Sequence, residues 1–229
     1  MILLLDTATR NGAAGLWDEG LVRSEAWHSP GSHTAELLPA VQRLLEVEGL
    51  APRMLDGIAV VAGPGGFSAL RAGLGVAKGL ALGLGCPLVG VSSLEATAQP
   101  LGVRGVTVCA VLEAGRGTVA WARYRGGRAY RERVGPVAEL LTLEDERLLF
   151  CGEGADTHRG AIEAAYGARA EVAPYEPGAR LVGVGALGAA RLSAGEADDA
   201  ASLEPRYLRA PSITPPKRAE RIRRGGHPA

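Results

Sequence analysis

The sequence predicts an α/β protein of two similar lobes, each a mixed sheet covered by helices in a βββαβα order. Three observations carry this. Strands joined by tight turns come first in each half, then strand and helix alternate, and this order occurs twice along the chain. Parallel strand neighbours require crossover helices, so a hairpin meander followed by βα units gives a mixed sheet. At 229 residues the chain is long enough for two lobes. The boundary is placed near Gly102 to Gly105, giving lobes over residues 1–103 and 104–209.

Ile2 to Leu5 is an apolar run ending at Asp6, and reads as a buried strand. Ala13 to Trp17 follows the Asn11-Gly12 turn, and Leu21 to Trp27 follows Glu19-Gly20. Ser32 is a candidate cap for a helix through Glu48, because Leu37, Leu38, Val41, Leu44 and Leu45 share a face and Gly49 is a stop signal. Pro39 is expected to kink it. Ile58 to Ala62 reads as the next strand, Phe67 to Leu84 as a glycine-rich helix, Leu88 to Val91 as a strand and Ser93 to Gln99 as a short helix.

The second half predicts strands Val106 to Leu112, Val119 to Tyr124 and Ala129 to Val134, a short helix at Val137 to Leu141 and strand Leu148 to Cys151. Helix Ala155 to Tyr166, strand Glu171 to Ala173 and helix Ala179 to Ala194 complete it. Residues 210–229 carry Pro211, Pro215 and Pro216 and then Lys217, Arg218, Arg221, Arg223 and Arg224, a basic tail that cannot bury a core and is expected to be disordered. Such a tail is a solvated extension or a phosphate-contacting arm.

The glycine-rich helix is the most constraining segment. Gly75, Gly79 and Gly83 recur every fourth residue and share a face with Ala72. Each glycine costs about 1 kcal/mol against alanine in a helix interior. The stripe therefore predicts a backbone element packed closely on it, within the chain or from a partner. Leu70, Leu74, Ala77 and Leu84 are left to face the sheet.

Composition narrows the classes of function. With 25 basic and 25 acidic residues the chain has no net charge, so any polyanion would have to be met by a local patch. Cys86, Cys109 and Cys151 are widely spaced in apolar surroundings, which fits reduced thiols in a cytoplasm better than a disulfide framework or metal site. Met1 to Leu5 lacks the pattern of a signal peptide, and the apolar stretch Ala72 to Val91 is interrupted by Lys78, glycines and Pro87, so no membrane span is expected.

Motifs for chemistry are sparse. Asp6 ends the first strand at the position where two-lobed kinases and actin-like ATPases place a catalytic acid, but the first glycine after it is delayed to Gly12; a turn-capping role is the simpler expectation. Gly63-Pro64-Gly65-Gly66 precedes a helix N-terminus, which favours an anion, yet it lacks the Lys-Ser/Thr of a P-loop and is read as a strand-to-helix turn needing positive φ. His33 and Glu36 could share a metal only weakly, since position 37 is Leu37; His33 is expected to be exposed or at an interface. Ser68, Ser92 and Ser93 lie in no GxSxG motif. No cofactor and no metal are expected.

Ile2 to Thr9, Gly63 to Ser68, Leu70-Arg71, the Gly75 to Gly83 helix, Val91 to Leu94 and Tyr207-Leu208-Arg209 together resemble the TsaB (YeaZ) family. Gly66, Ser68 and Ala69 exchange small residues within the usual loop, and the turn Glu113-Ala114-Gly115-Arg116 is shifted by one residue. The resemblance implies an actin-like (ASKHA) fold of the sugar kinase, Hsp70 and actin type. It implies a non-catalytic role in bacterial tRNA threonylcarbamoyladenosine synthesis. The implied partners are TsaD, which uses a helical HxxxH metal pair that His33 and Leu37 do not reproduce, the ATPase TsaE, a second copy of the chain, and tRNA through the complex. The implied interface lies on the first two helices, with His33, Leu37, Val41, Ala72, Gly75, Val76 and Gly79 as its expected residues. A small actin-like kinase or ATPase acting at Asp6 is the rival reading.

Overall fold

The computed structural model describes residues 1–29, 33–115, 117–126 and 128–207, the side chains at 103 and 104 excepted. The expected cap Ser32, Arg116 of the shifted turn, Leu208-Arg209 and the basic tail lie outside the described residues. Strands β1 (Ile2–Asp6), β2 (Asn11–Trp17) and β3 (Leu21–His28) are followed by α1 (Thr34–Val47), β4 (Gly57–Gly63), α2 (Phe67–Leu84), β5 (Leu88–Ser92) and α3 (Ser93–Ala98). Type and order agree with the sequence reading. Asn11 and Gly12 already pair in β2 rather than forming a turn. Helix α1 is continuous through Pro39, whose side is exposed.

These strands form a five-stranded sheet in the order β3-β2-β1-β4-β5, antiparallel among the first three and parallel from β1 to β5. Leu3, Leu4 and Leu5 of the central strand are fully buried. Alternation along the strand sends Leu3 and Leu5 into one core with Leu37, Leu44, Leu74 and Ala77 from α1 and α2. Leu4 enters a second core with Leu181 and Val184 on the opposite face of the sheet.

The second sheet uses β6 (Thr107–Gly115), β7 (Thr118–Arg125), β8 (Arg128–Ala129), β9 (Arg133–Pro136), β10 (Leu148–Cys151) and β11 (Ala170–Val172). Its order is β11-β10-β6-β7-β8, with β9 also on β7. The single strand expected at Ala129 to Val134 is thus two pieces. The register jumps from Ala129 opposite Tyr124 to Arg133 opposite Trp121, so Tyr130, Arg131 and Glu132 stand against two residues of β7 and leave the ladder as a bulge. Helix α4 (Val137–Leu140) is as expected, whereas the helix expected at Ala155 to Tyr166 divides at His158 into α5 (Glu153–Thr157) and α6 (Arg159–Tyr166).

Helix α7 (Arg180–Ser193) follows the second sheet in sequence but covers the first, against β1, β4 and β5, and packs on α3. The division into residues 1–103 and 104–209 places this helix in the second lobe. Its apolar residues Leu181 and Val184 complete the core that Leu4, Ala59 and Val89 leave open on the far face of the first sheet. Helix α2 is long and apolar enough by composition to cross a membrane, unlike the interrupted stretch considered above, but it lies on the first sheet as one layer of this lobe.

Candidate functional site

Asp6 at the end of β1, Glu153 at the start of α5 and Arg180 at the start of α7 meet between the two sheets. Their relative exposures are only 3%, 8% and 7%. Arg180 Nη1 donates to Asp6 Oδ2 at 2.8 Å, Nη2 to Glu153 Oε2 at 2.7 Å and Nε to Thr97 Oγ1 at 2.8 Å. The other oxygen of Asp6 accepts from the Ala8 amide at 2.9 Å, the turn-capping role read from the sequence. Burial pushes the Glu153 carboxyl above its ordinary value, with Arg180 opposing that effect. Its Oε1 is buried without a hydrogen bond among the described residues. One guanidinium therefore bridges the carboxylate at the end of β1 and the carboxylate at the start of α5.

Beside the triad lies a cavity of about 340 Å³ lined by Arg180, Tyr175, Cys151, Thr97 and Leu101 among others. Burial pushes the Cys151 thiol up to about 12, so it stays protonated and is no nucleophile at neutral pH. All three cysteines are free, in keeping with the expected reduced thiols.

The Gly63-Pro64-Gly65-Gly66 loop is filled by the protein itself. The Gly66 amide donates to the Ala8 carbonyl at 2.8 Å, Ser93 Oγ donates to the Pro64 carbonyl at 2.5 Å, and a Cβ on Gly65 would strike the Ala8 backbone. Gly63 has φ +120°, as the turn reading requires. The loop thus clamps the β1–β2 turn onto the start of α2.

His33 is interior, at 2% exposure, which overturns the expected exposed or interfacial position. Its Nδ1 accepts from Trp27 Nε1 at 3.0 Å, so the ring proton sits on Nε2, which donates to the Thr9 carbonyl at 2.7 Å. Neither nitrogen has a lone pair left for a metal. Among the described residues, no three of His, Cys, Asp and Glu converge as a metal-binding group.

On α2, Leu70, Gly73, Leu74, Ala77 and Ala81 are buried, while Leu84 is half-buried. Gly75, Gly79 and Gly83 are exposed, and a Cβ on any of them would meet open space. Among the described residues, then, nothing packs within 4 Å of where a Cβ on these glycines would lie. Leu82 lies in the same outward arc at 73% exposure, and Leu38 on α1 is 50% exposed. Tyr207 stacks on Phe67 at 5.0 Å between ring centres and accepts from Arg71 Nε at 3.1 Å, which brings the last described residue to the start of α2.

Comparison with known proteins places this geometry. A family model described as TsaD, tRNA N6-adenosine threonylcarbamoyltransferase, matches residues 29–215. The tRNA threonylcarbamoyladenosine biosynthesis protein TsaB of Bacillus subtilis is 30% identical over 220 residues, covering 91% of this chain and 93% of that one. The chain belongs to the TsaB family. The TsaB protein of Escherichia coli is 40% identical over 126 residues, so the chain spans about half the length of that relative, 54% of each. The solved structure of YeaZ from Pseudomonas aeruginosa superposes with a TM-score of 0.74 at 29% identity, covering 90% of this chain and 99% of that one. An inorganic polyphosphate/ATP-glucomannokinase from Arthrobacter superposes with a TM-score of 0.54 at 13% identity, over 83% of this chain and 98% of that one, which shows the shared actin-like fold alone.

In this TsaB-family chain the residues expected at the interface divide. His33, Leu37 and Val41 are 2%, 0% and 5% exposed, because the inner face of α1 is taken by the sheet and by Trp27 and Thr9. Gly75 and Gly79 are exposed, and Ala72 and Val76 are half-buried at the margin of the same face. Arg180 and Glu153 were missed. An arginine beginning a helix and a glutamate between Gly152 and Gly154 carry no signal until folding brings each within 3 Å of its partner.

Proposed function

We propose that this TsaB-family chain is a non-catalytic subunit that docks on a TsaD-like catalytic subunit. In this role it supports transfer of a threonylcarbamoyl group to N6 of the adenosine beside the anticodon of tRNA. The observation that carries the reading is the glycine stripe of α2, whose residues give up helix stability with nothing among the described residues packed on them. The relatives' names, TsaB in tRNA threonylcarbamoyladenosine biosynthesis, support the process and the class of partner. The docking face comprises Ala72, Gly75, Val76 and Gly79 with the exposed Leu38 and Leu82. The same face pairs two copies of the chain in the absence of the catalytic subunit, and a TsaE-like ATPase joins the complex in the cytoplasm.

The engagement of Asp6 by Arg180 supports a non-catalytic role, since the acid at the end of β1 is held in a buried ion pair instead of facing a nucleotide. In the test, Gly75→Leu or Gly79→Leu is expected to abolish co-purification with the TsaD-like subunit while the isolated chain stays folded, with a melting temperature no lower than before. Normal co-purification would overturn the docking face. ATP turnover by the purified chain, abolished by Asp6→Asn, would instead establish the kinase or ATPase reading that the fold permits.

A further inference from the structure

We propose that the β7–β8–β9 ribbon of the second lobe is a contact surface for the phosphate backbone of RNA, resting on the tRNA reading above for the identity of that RNA. Trp121, Arg123 and Arg125 alternate on β7 and so share one face. The register sets Arg128 directly opposite Arg125 and Arg133 directly opposite Trp121, and paired residues point to the same side. The face that is apolar and buried at Trp121 thus becomes cationic toward the end of the ribbon. Arg131 adds a further cation from the bulge between β8 and β9.

Arg125, Arg128, Arg131 and Arg133 are all exposed, and none makes an ion pair among the described residues. Two nearby acids are already engaged: Asp145 binds Arg123, and Glu132 binds Arg206 at 2.5 Å. Like charges directly opposite each other weaken a strand pair, as Arg125 and Arg128 do here, and an anion between them offsets that cost. Tyr130 is 44% exposed and lies under the Arg123 guanidinium at 5.2 Å, which adds an aromatic ring of the kind on which unpaired bases stack. A chain with no net charge concentrates four arginines within nine residues, from 125 to 133. Arginine fits phosphate bidentately, and a row of such cations fits a polyanion better than a single carboxylate.

The test uses the full chain and an unmodified tRNA transcript, with binding followed by fluorescence anisotropy across a salt series. Arg125→Glu/Arg128→Glu/Arg131→Glu/Arg133→Glu is expected to weaken binding at least about tenfold and to lower the log–log salt slope by about 3, while the four lysine replacements retain binding. An unchanged circular-dichroism melt shows that the reversed variant is folded. The proposal is overturned if the reversed variant binds as the wild type does, or if only removal of residues 208–229 abolishes binding. It is equally overturned if the wild-type chain, alone or with the catalytic subunit, takes polyglutamate and not tRNA. The reversed variant is also co-purified with the TsaD-like subunit, and retention of the partner with loss of tRNA supports the ribbon. A wild-type chain that binds tRNA through the ribbon but ignores TsaD leaves the ribbon standing and removes the docking reading.

Discussion

Arg180 holds two carboxylates from opposite sides of the molecule in a site that water barely reaches. Removing one partner of a buried ion pair costs about 3–5 kcal/mol, because the remaining charge is left uncompensated. Arg180→Met is expected to lose that much in urea unfolding. The pH dependence follows from Glu153, whose folded carboxyl already lies above 4.5 because of burial. Such a group binds its proton more readily folded than unfolded, so its contribution to stability falls as pH rises through the folded value and is regained as pH falls. Without Arg180 this elevation grows, and the deficit of Arg180→Met against wild type should shrink between about pH 7.5 and about pH 5. An equal deficit at both would show that the triad is not the cause. His33→Ala should cost about 2 kcal/mol or more, since it leaves Trp27 Nε1 and the Thr9 carbonyl without their hydrogen-bond partner and opens a void. At this scale the turn role of Asp6 was legible from its position, but its partner was not. Asp6 and Arg180 are 174 residues apart, and no local spacing relates them.

At the scale of elements, two glycine-rich helices have opposite environments. Fourfold glycine spacing predicts a close neighbour for α2, yet no described residue lies within 4 Å of where a Cβ on Gly75, Gly79 or Gly83 would sit. Crowding falls instead on Gly73 of α2, against Thr7, and on three glycines of α7. There, a Cβ on Gly183 would run into the Ala96 backbone of α3, on Gly185 into the Trp17 ring, and on Gly188 it would lie 2.5 Å from the Ala59 Cβ. Alanine should therefore have opposite signs at the two places. Gly75→Ala is expected to stabilise the chain by about 1 kcal/mol through helix propensity when it is diluted to the monomer. Gly183→Ala is expected to destabilise it by about 1–3 kcal/mol or more through overpacking. Urea midpoints at unchanged slope, read at monomer concentrations, would check both, and a destabilised Gly75→Ala there would mean that the α2 stripe is packed within the monomer. Fourfold spacing revealed which glycines share a face. It carries no information on what that face meets.

For the whole molecule, α7 makes the first lobe depend on the end of the chain. Leu4, Ala59 and Val89 form one face of the first sheet, and their cover is Leu181 and Val184. A chain ending at Gly178 should thus fail to fold its first lobe, and protease should digest residues 1–103 as readily as the rest; a resistant N-terminal fragment would contradict this. The sequence by itself determined the type and order of nearly every element, the repeated grammar of two lobes, the free thiols and the family resemblance that the comparisons bear out. These follow from local periodicity, turn chemistry and motif order, which each segment carries within itself. The bulge at Tyr130 to Glu132 and the break at His158 escaped because they depend on the ladder of β7 and on how two short helices seat. Only the tertiary structure decided that His33 turns inward, that α7 crosses to the first sheet and that Arg180 closes on Asp6 and Glu153. Those outcomes were set by which apolar face lacked cover and which buried charge lacked a partner, and neither exists until distant segments have come together.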